Sequence, residues 1–222
     1  MCLNLTKPFL IAGIDEAGRG PLAGPVTAAA VVLPKAYLNH ELRDSKKITP
    51  KKRELLYSEI VNSALAYTIV SIGARRIDKL NILQATKLAM LLCAQKLSQH
   101  LRDVNLYFLV DGNHFFLPEQ ATSYLGEPII KGDDQIAAIS AASILAKVTR
   151  DRLMSKFAER YPAYEFEKHK GYGTALHCQR IEEFGPCTIH RQSFIRAIVS
   201  RKQGAWGTRR EGGRALSTAP RL

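Results

Sequence analysis

The stretch FLIAGIDEAGRGPLAGPVTAAAVVL, residues 9–33, decides the fold. Phe9 to Ile14 is an apolar run of strand length, and Val26 to Leu33 is a second. Between them, Asp15 to Pro25 carries glycines at 18, 20 and 24 and prolines at 21 and 25, so the chain turns there. So tight a connection predicts antiparallel neighbours. Two nucleotide-binding readings are tested by the same residues. Gly18, Gly20 and Ala23 have the spacing of a dinucleotide fingerprint, but that motif needs a helix next, and Pro21, Pro25 and a β-like run follow instead. Gly13 to Gly18 has the gap of a P-loop, but Arg19-Gly20 stands where Lys-Ser/Thr is required. What remains is a loop whose bare backbone can come close to a sugar or phosphate.

Outward from this stretch, Thr49-Pro50 has the N-cap and first-turn chemistry of a helix, and Leu55, Leu56, Ile60 and Val61 form its apolar stripe to about residue 63. Ala66 to Gly73 reads as a strand, Asn81 to about His100 as a helix, and Leu106 to Val110 as a strand ending at Asp111-Gly112. Glu127 to Ile130 adds a strand, and Asp134 to about Arg160 a long helix whose Ala- and Ser-rich first half lets it approach the sheet closely. The order predicts an α/β fold, a mixed sheet flanked by helices, over residues 1–160. After the loop His169 to Thr174, helical patterns near 176–184 and 191–201 form a small C-terminal helical cap over 161–202. Residues 203–222, with no apolar period, are expected to be a basic, disordered tail.

The 222 residues are 46% hydrophobic and 23% charged, which fits one core and excludes disordered, collagenous and coiled-coil classes. Cys2, Cys93, Cys178 and Cys187 lack any C-x-x-C spacing, so neither a disulfide framework nor a zinc ribbon is expected; His177, Cys178, Cys187 and His190 are too irregular for a zinc site. With no run of about 18 apolar residues, the chain is expected to be soluble, cytoplasmic and free of the membrane. Lys and Arg number 32 against 20 Asp and Glu, a net +12, which points to a polyanion such as nucleic acid. The last 22 residues hold six basic residues and one acidic, leaving +7 on the body.

Four acids stand at ends of strands or at the start of a helix: Asp15, Glu16, Asp111 and Asp133. Carboxylates gathered there repel one another and need cations, and Mg²⁺ or Mn²⁺ takes hard oxygen ligands while leaving positions for phosphate. Two such ions suit phosphodiester hydrolysis, so an acidic pocket on a basic protein suggests a nuclease. The plain alternative is that these acids are turn formers and caps, Asp133 capping the helix that follows. Asp15 and Glu16 raise a further difficulty, because neighbours in a regular strand face opposite ways. Asp44-Ser45-Lys46-Lys47 fits phosphate contact or a solvated charge run; Tyr172, between two glycines, fits stacking on a sugar or base, or a packed anchor.

These residues resemble the ribonuclease HII family, type 2 ribonuclease H. Ile11 to Pro25, Arg43 to Lys47, Val110-Asp-Gly112, Lys131-Gly-Asp133, Ser140 to Asp151 and His169 to Thr174 carry the likeness, which spans about residues 9 to 200 in the family's order. The resemblance implies a ribonuclease H-like sheet and an endonuclease, expected to act as a monomer. It would cut the RNA strand of RNA–DNA hybrids and incise 5′ of ribonucleotides embedded in duplex DNA, leaving 5′-phosphate and 3′-hydroxyl ends. It makes Asp15, Glu16, Asp111 and Asp133 the catalytic, metal-holding acids for two Mg²⁺ or Mn²⁺ ions. Gly18, Arg19 and Gly20 then match the reader of the 2′-hydroxyl and Tyr172 the residue that stacks on the adjoining deoxyribose. Ser45, Lys46 and Lys47 match positions near backbone phosphates. The Lys-Gly-Asp pattern selects Asp133 over the adjacent Asp134. The competing reading is a non-catalytic basic nucleic-acid-binding module.

Overall fold

A computed structural model describes residues 7–37, 48–113 and 124–207. Its centre is the opening stretch. Strand β1 (Phe9–Ala17) pairs antiparallel with β2 (Val26–Val32), from Gly13↔Val31 to Ala17↔Thr27. After helix α1 (Pro50–Ser63), strand β3 (Ala66–Ile72) pairs antiparallel with β2. Helices α2 (Ala74–Leu80) and α3 (Ile82–His100) lead to β4 (Asn105–Asp111), parallel to β1, and β5 (Leu125–Ile129), parallel to β4. The mixed sheet has the order β3-β2-β1-β4-β5. Then come α4 (Gly132–Gln135), α5 (Ala137–Arg160), α6 (Phe166–His169), α7 (Ala175–Phe184) and α8 (Gln192–Gly207).

Alternation along the strands supplies two apolar faces. Ala12 and Ile14 join Ala28, Ala30, Phe108 and Val110 against Ala89, Met90, Cys93 and Leu97 of α3. Ala29 and Val31 point the other way, into a second core with Leu56 and Ile60 of α1 and the small residues Ala141, Ala142 and Ala146 of α5. Small residues bring α5 so close that a Cβ on Gly13 would collide with the backbone of Ala138 and Ile139. Thr49 caps α1 by accepting the Lys52 N–H, with Pro50 at its start.

Several boundaries differ from expectation. Strand β1 does not stop at Ile14: β2 continues to pair with Asp15, Glu16 and Ala17, so both acids lie within the strand. The helix expected to run from Asp134 is broken at Ile136, whose extended backbone (φ −119°, ψ 115°) separates α4 from α5, so Asp133 sits inside a short helix. Helix α2 was not foreseen, its seven residues being too few for a periodic signal. Helix α8 runs to Gly207, into the segment expected to be disordered tail.

Candidate active site

Parallel register brings the first two acids level. Strand β1 pairs with β4 through Ile14↔Val110, so the next step along each strand is Asp15 beside Asp111. Residues level in parallel strands face the same way, here toward α5, as Gly13 does. Asp15 is 6% exposed. Its carboxyl is held well above the usual carboxylate range, chiefly by burial and then by the charges of Glu16 and Asp111; bonds from Ser143 and the Glu16 N–H only partly offset this. Glu16 is also raised by burial and pulled back by Arg19, whose Nη1 lies 3.4 Å from Oε1. Glu16 lies beyond the last β4 pair but is still paired with Ala28 of β2, and its charge acts on both Asp15 and Asp111.

The main chain at Asp133 meets the end of β4 just before the break that precedes α5. Asp111 Oδ1 accepts the N–H groups of Gly132 (2.8 Å) and Asp133 (3.4 Å), fastening the α4 turn to the end of β4. Ser140 donates to the Asp133 carbonyl, tying α5 to the same turn. Asp133 is 1% exposed, whereas Asp134 is exposed.

Three acids of like charge, one of them buried, repel one another here, and a divalent cation would offset both the repulsion and the loss of hydration. All the available atoms are hard oxygens, the ligands of Mg²⁺ and Mn²⁺. Among the described residues no group of three or more His, Cys, Asp or Glu side chains is drawn into a ready metal cage. Mg²⁺ does not require one, because it keeps several waters and is held by one or two carboxylates.

Beside the acids, the loop after β1 is stitched to the Tyr172 loop. Leu22 N–H donates to Gly171 O (2.8 Å) and Gly24 N–H to Ile189 O (2.9 Å). Gly18 and Gly24 have φ of +92° and +85°, and a Cβ on Gly18 would collide with Arg150. Tyr172 stands 43% exposed, its ring 5.7 Å from the Arg150 guanidinium carbon and 5.8 Å from Lys147 Nζ. Ser45, Lys46 and Lys47 lie outside the described residues.

Three buried histidines hold the Tyr172 loop, and hydrogen bonding fixes their tautomers. Cys187 N–H donates to His190 Nδ1 (2.9 Å), so the His190 proton is on Nε2 and points at His177 Nε2, 3.1 Å away. The His177 proton is therefore on Nδ1, donated to Tyr172 O (2.9 Å). Likewise Gly171 N–H donates to His169 Nδ1, leaving Nε2–H for Tyr164 O. Burial pushes His177 and His190 down to about 4, which keeps this neutral relay intact.

Sequence reasoning assigned no role to Ser143, Arg150, Arg191 or these histidines. Ser143 and Arg150 lie in the Ser140–Asp151 segment and His169 in the His169–Thr174 segment already singled out, so position was available but function was not.

The model of the family described as ribonuclease HII matches residues 12–197. Ribonuclease HII of Francisella tularensis subsp. novicida is 51% identical over 186 residues, covering 84% of this chain and 96% of the relative. Among solved structures, ribonuclease H2 from Pyrococcus horikoshii OT3 has a TM-score of 0.65 at 27% identity, over 87% of this chain and 98% of that one. Bst-RNase HIII in complex with Mn²⁺, at 14% identity, shares the fold with a TM-score of 0.72 over 92% of this chain and 72% of that one. With a family model matched over most of its length and half-identical relatives, the chain belongs to the ribonuclease HII family.

Proposed function

We propose that this ribonuclease H hydrolyses the RNA strand of RNA–DNA hybrids and incises 5′ of single ribonucleotides in duplex DNA, leaving 5′-phosphate and 3′-hydroxyl ends. The observation that carries the reading is the meeting of Asp15, Glu16 and Asp111 at the strand ends, directly beside the glycine loop. Asp15, Glu16, Asp111 and Asp133 would hold two Mg²⁺ or Mn²⁺ ions; the Mn²⁺ complex of Bst-RNase HIII, which shares the fold, is in keeping with this. When bound, the ions supply an activated attacking water and stabilise the leaving 3′ oxygen. The side chains then serve as holders: Ser143 orients Asp15, and the α4 turn orients Asp111.

The loop Gly18-Arg19-Gly20 reads the 2′-hydroxyl, the group that separates RNA from DNA. Tyr172 stacks on the neighbouring deoxyribose, presented by the histidine relay. Ser45, Lys46 and Lys47 contact phosphates, and the elements from 161 to 202 form the cap that carries the Tyr172 loop. The test is substitution: Asp15→Asn and Asp111→Asn are each expected to abolish cleavage of a duplex with one ribonucleotide while leaving binding in place. Turnover retained in both variants contradicts the assignment.

A further inference from the structure

Two buried guanidinium groups organise the loop from Gly18 to Pro25. Arg191, 0% exposed, donates from Nε to Gly24 O (3.0 Å), from Nη1 to Arg19 O (2.7 Å) and from Nη2 to Gly18 O (2.6 Å). Arg150, also 0% exposed, donates from Nε to Pro25 O (2.9 Å) and from Nη2 to Ala23 O (3.2 Å). Among the described residues neither forms an ion pair, and Arg150 Nη1 is buried without an acceptor. Two cations buried side by side work against stability, since each loses hydration and each repels the other. The Arg191 guanidinium is accordingly held down to about 9, by burial first and then by Arg150. Packing alone would be served as well by apolar side chains. What an apolar side chain cannot do is hold five carbonyl oxygens of one loop in fixed directions.

Direction matters because the C=O and N–H of a trans peptide point to opposite sides. With Gly18 O and Arg19 O both drawn onto Arg191, the N–H groups of Arg19 and Gly20 face away from it. Neither N–H has an acceptor among the described residues. Two successive N–H groups turned the same way make a small donor site for an oxygen ligand. We propose that Arg191 is the positioning residue that aims the Arg19 and Gly20 N–H groups at the 2′-hydroxyl oxygen, and so sets the preference for ribose. Arg150 braces the other end of the loop and lies under Tyr172, so the two struts hold both parts of the sugar-reading surface in one frame. This role rests on the proposed reading of Gly18-Arg19-Gly20.

The experiment compares affinity for a duplex with one ribonucleotide and for the same duplex in all-deoxy form, using full-length protein carrying Asp111→Asn so that no cleavage intervenes. Adding Arg191→Gln or Arg191→Lys is expected to lower the ribose preference about tenfold, the loss of about one well-made hydrogen bond, while affinity for the all-deoxy duplex holds. A merely structural role would weaken both duplexes alike and leave their ratio unchanged; an unchanged ratio in a folded variant overturns the proposal. Should both variants fail to fold, the amide resonances of Arg19 and Gly20 in the Asp111→Asn protein decide. A shift with the ribonucleotide duplex beyond that with the all-deoxy duplex supports the role, and equal shifts overturn it. If the Asp111→Asn protein alone shows no ribose preference, the reading of the loop itself fails and the positioning role falls with it. A preference that survives in folded Arg191 variants removes the positioning role only.

Discussion

Gly13 illustrates how much a single position holds. A side chain there would enter the backbone of Ala138 and Ile139 at the start of α5, and backbone cannot swing aside as the tip of a side chain can. Gly13→Ala is expected to destabilise the protein by about 1–3 kcal/mol, the usual range for overpacking. It should also lower turnover, because α5 carries Ser143 to Asp15. An unchanged urea midpoint contradicts the packing. Tyr172 lies at the other extreme: its half-open ring contributes little to the core, so Tyr172→Ala should shift stability by no more than about 0.5 kcal/mol. The ratio of rates on single ribonucleotides and long hybrids should nonetheless fall, and comparing the two substrates in one assay checks this. Of the candidate site's residues, the acids and the glycine loop were singled out by their chemistry and by the resemblance to a known family, since their spacing alone reads equally as turns and caps. Arg150 and Arg191 were not, because their partners are main-chain carbonyls as many as 173 residues away, which leave no side-chain motif to read.

At the scale of elements, β1, β2 and the long helix were read correctly in kind and wrongly at their ends. The polarity of Asp15 and Glu16 looks like loop, yet β2 supplies partners for three more pairs, and tertiary pairing overrides local polarity. The break at Ile136 involves neither Gly nor Pro; it is held by the Ile136 N–H to Gly132 O bond and by the Ser140 to Asp133 contact, which only the fold reveals. The relay that fixes the Tyr172 loop is equally a property of packed elements, and it makes stability depend on pH. His177 and His190 titrate at about 4 in the folded protein and near 6.5 in the unfolded chain, so between these values the unfolded chain binds more protons. Their contribution is complete above pH 6.5 and is lost as pH falls from 6.5 toward 4, at up to about 1.4 kcal/mol per pH unit for each histidine. Urea denaturation at pH 7, 6 and 5 should show this decline. His177→Gln should flatten it, whereas an equal slope in both proteins contradicts the relay.

The whole molecule carries +12, and residues 208–222 contribute four arginines and one glutamate to it. Binding to nucleic acid should therefore weaken steeply with salt. Ending the chain at Gly207, where α8 ends, removes a net +3 and should make the slope of log K against log salt shallower by at most about three. An unchanged slope would exclude the tail from the interface. Charge of this kind was legible from composition alone; the gathering of Asp15, Glu16 and Asp111 from β1 and β4 depended on sheet order and register, which no single segment encodes. Whether these acids cut at a ribonucleotide is decided by end-labelled duplex DNA carrying one ribonucleotide, with products mapped to the nucleotide in Mg²⁺, in Mn²⁺ and in EDTA. A cut on the 5′ side of the ribonucleotide is expected with metal, and none in EDTA. Binding without a cut under every metal condition would contradict it, and would return Asp15, Glu16, Asp111 and Asp133 to the role of turns and caps on a basic binding module.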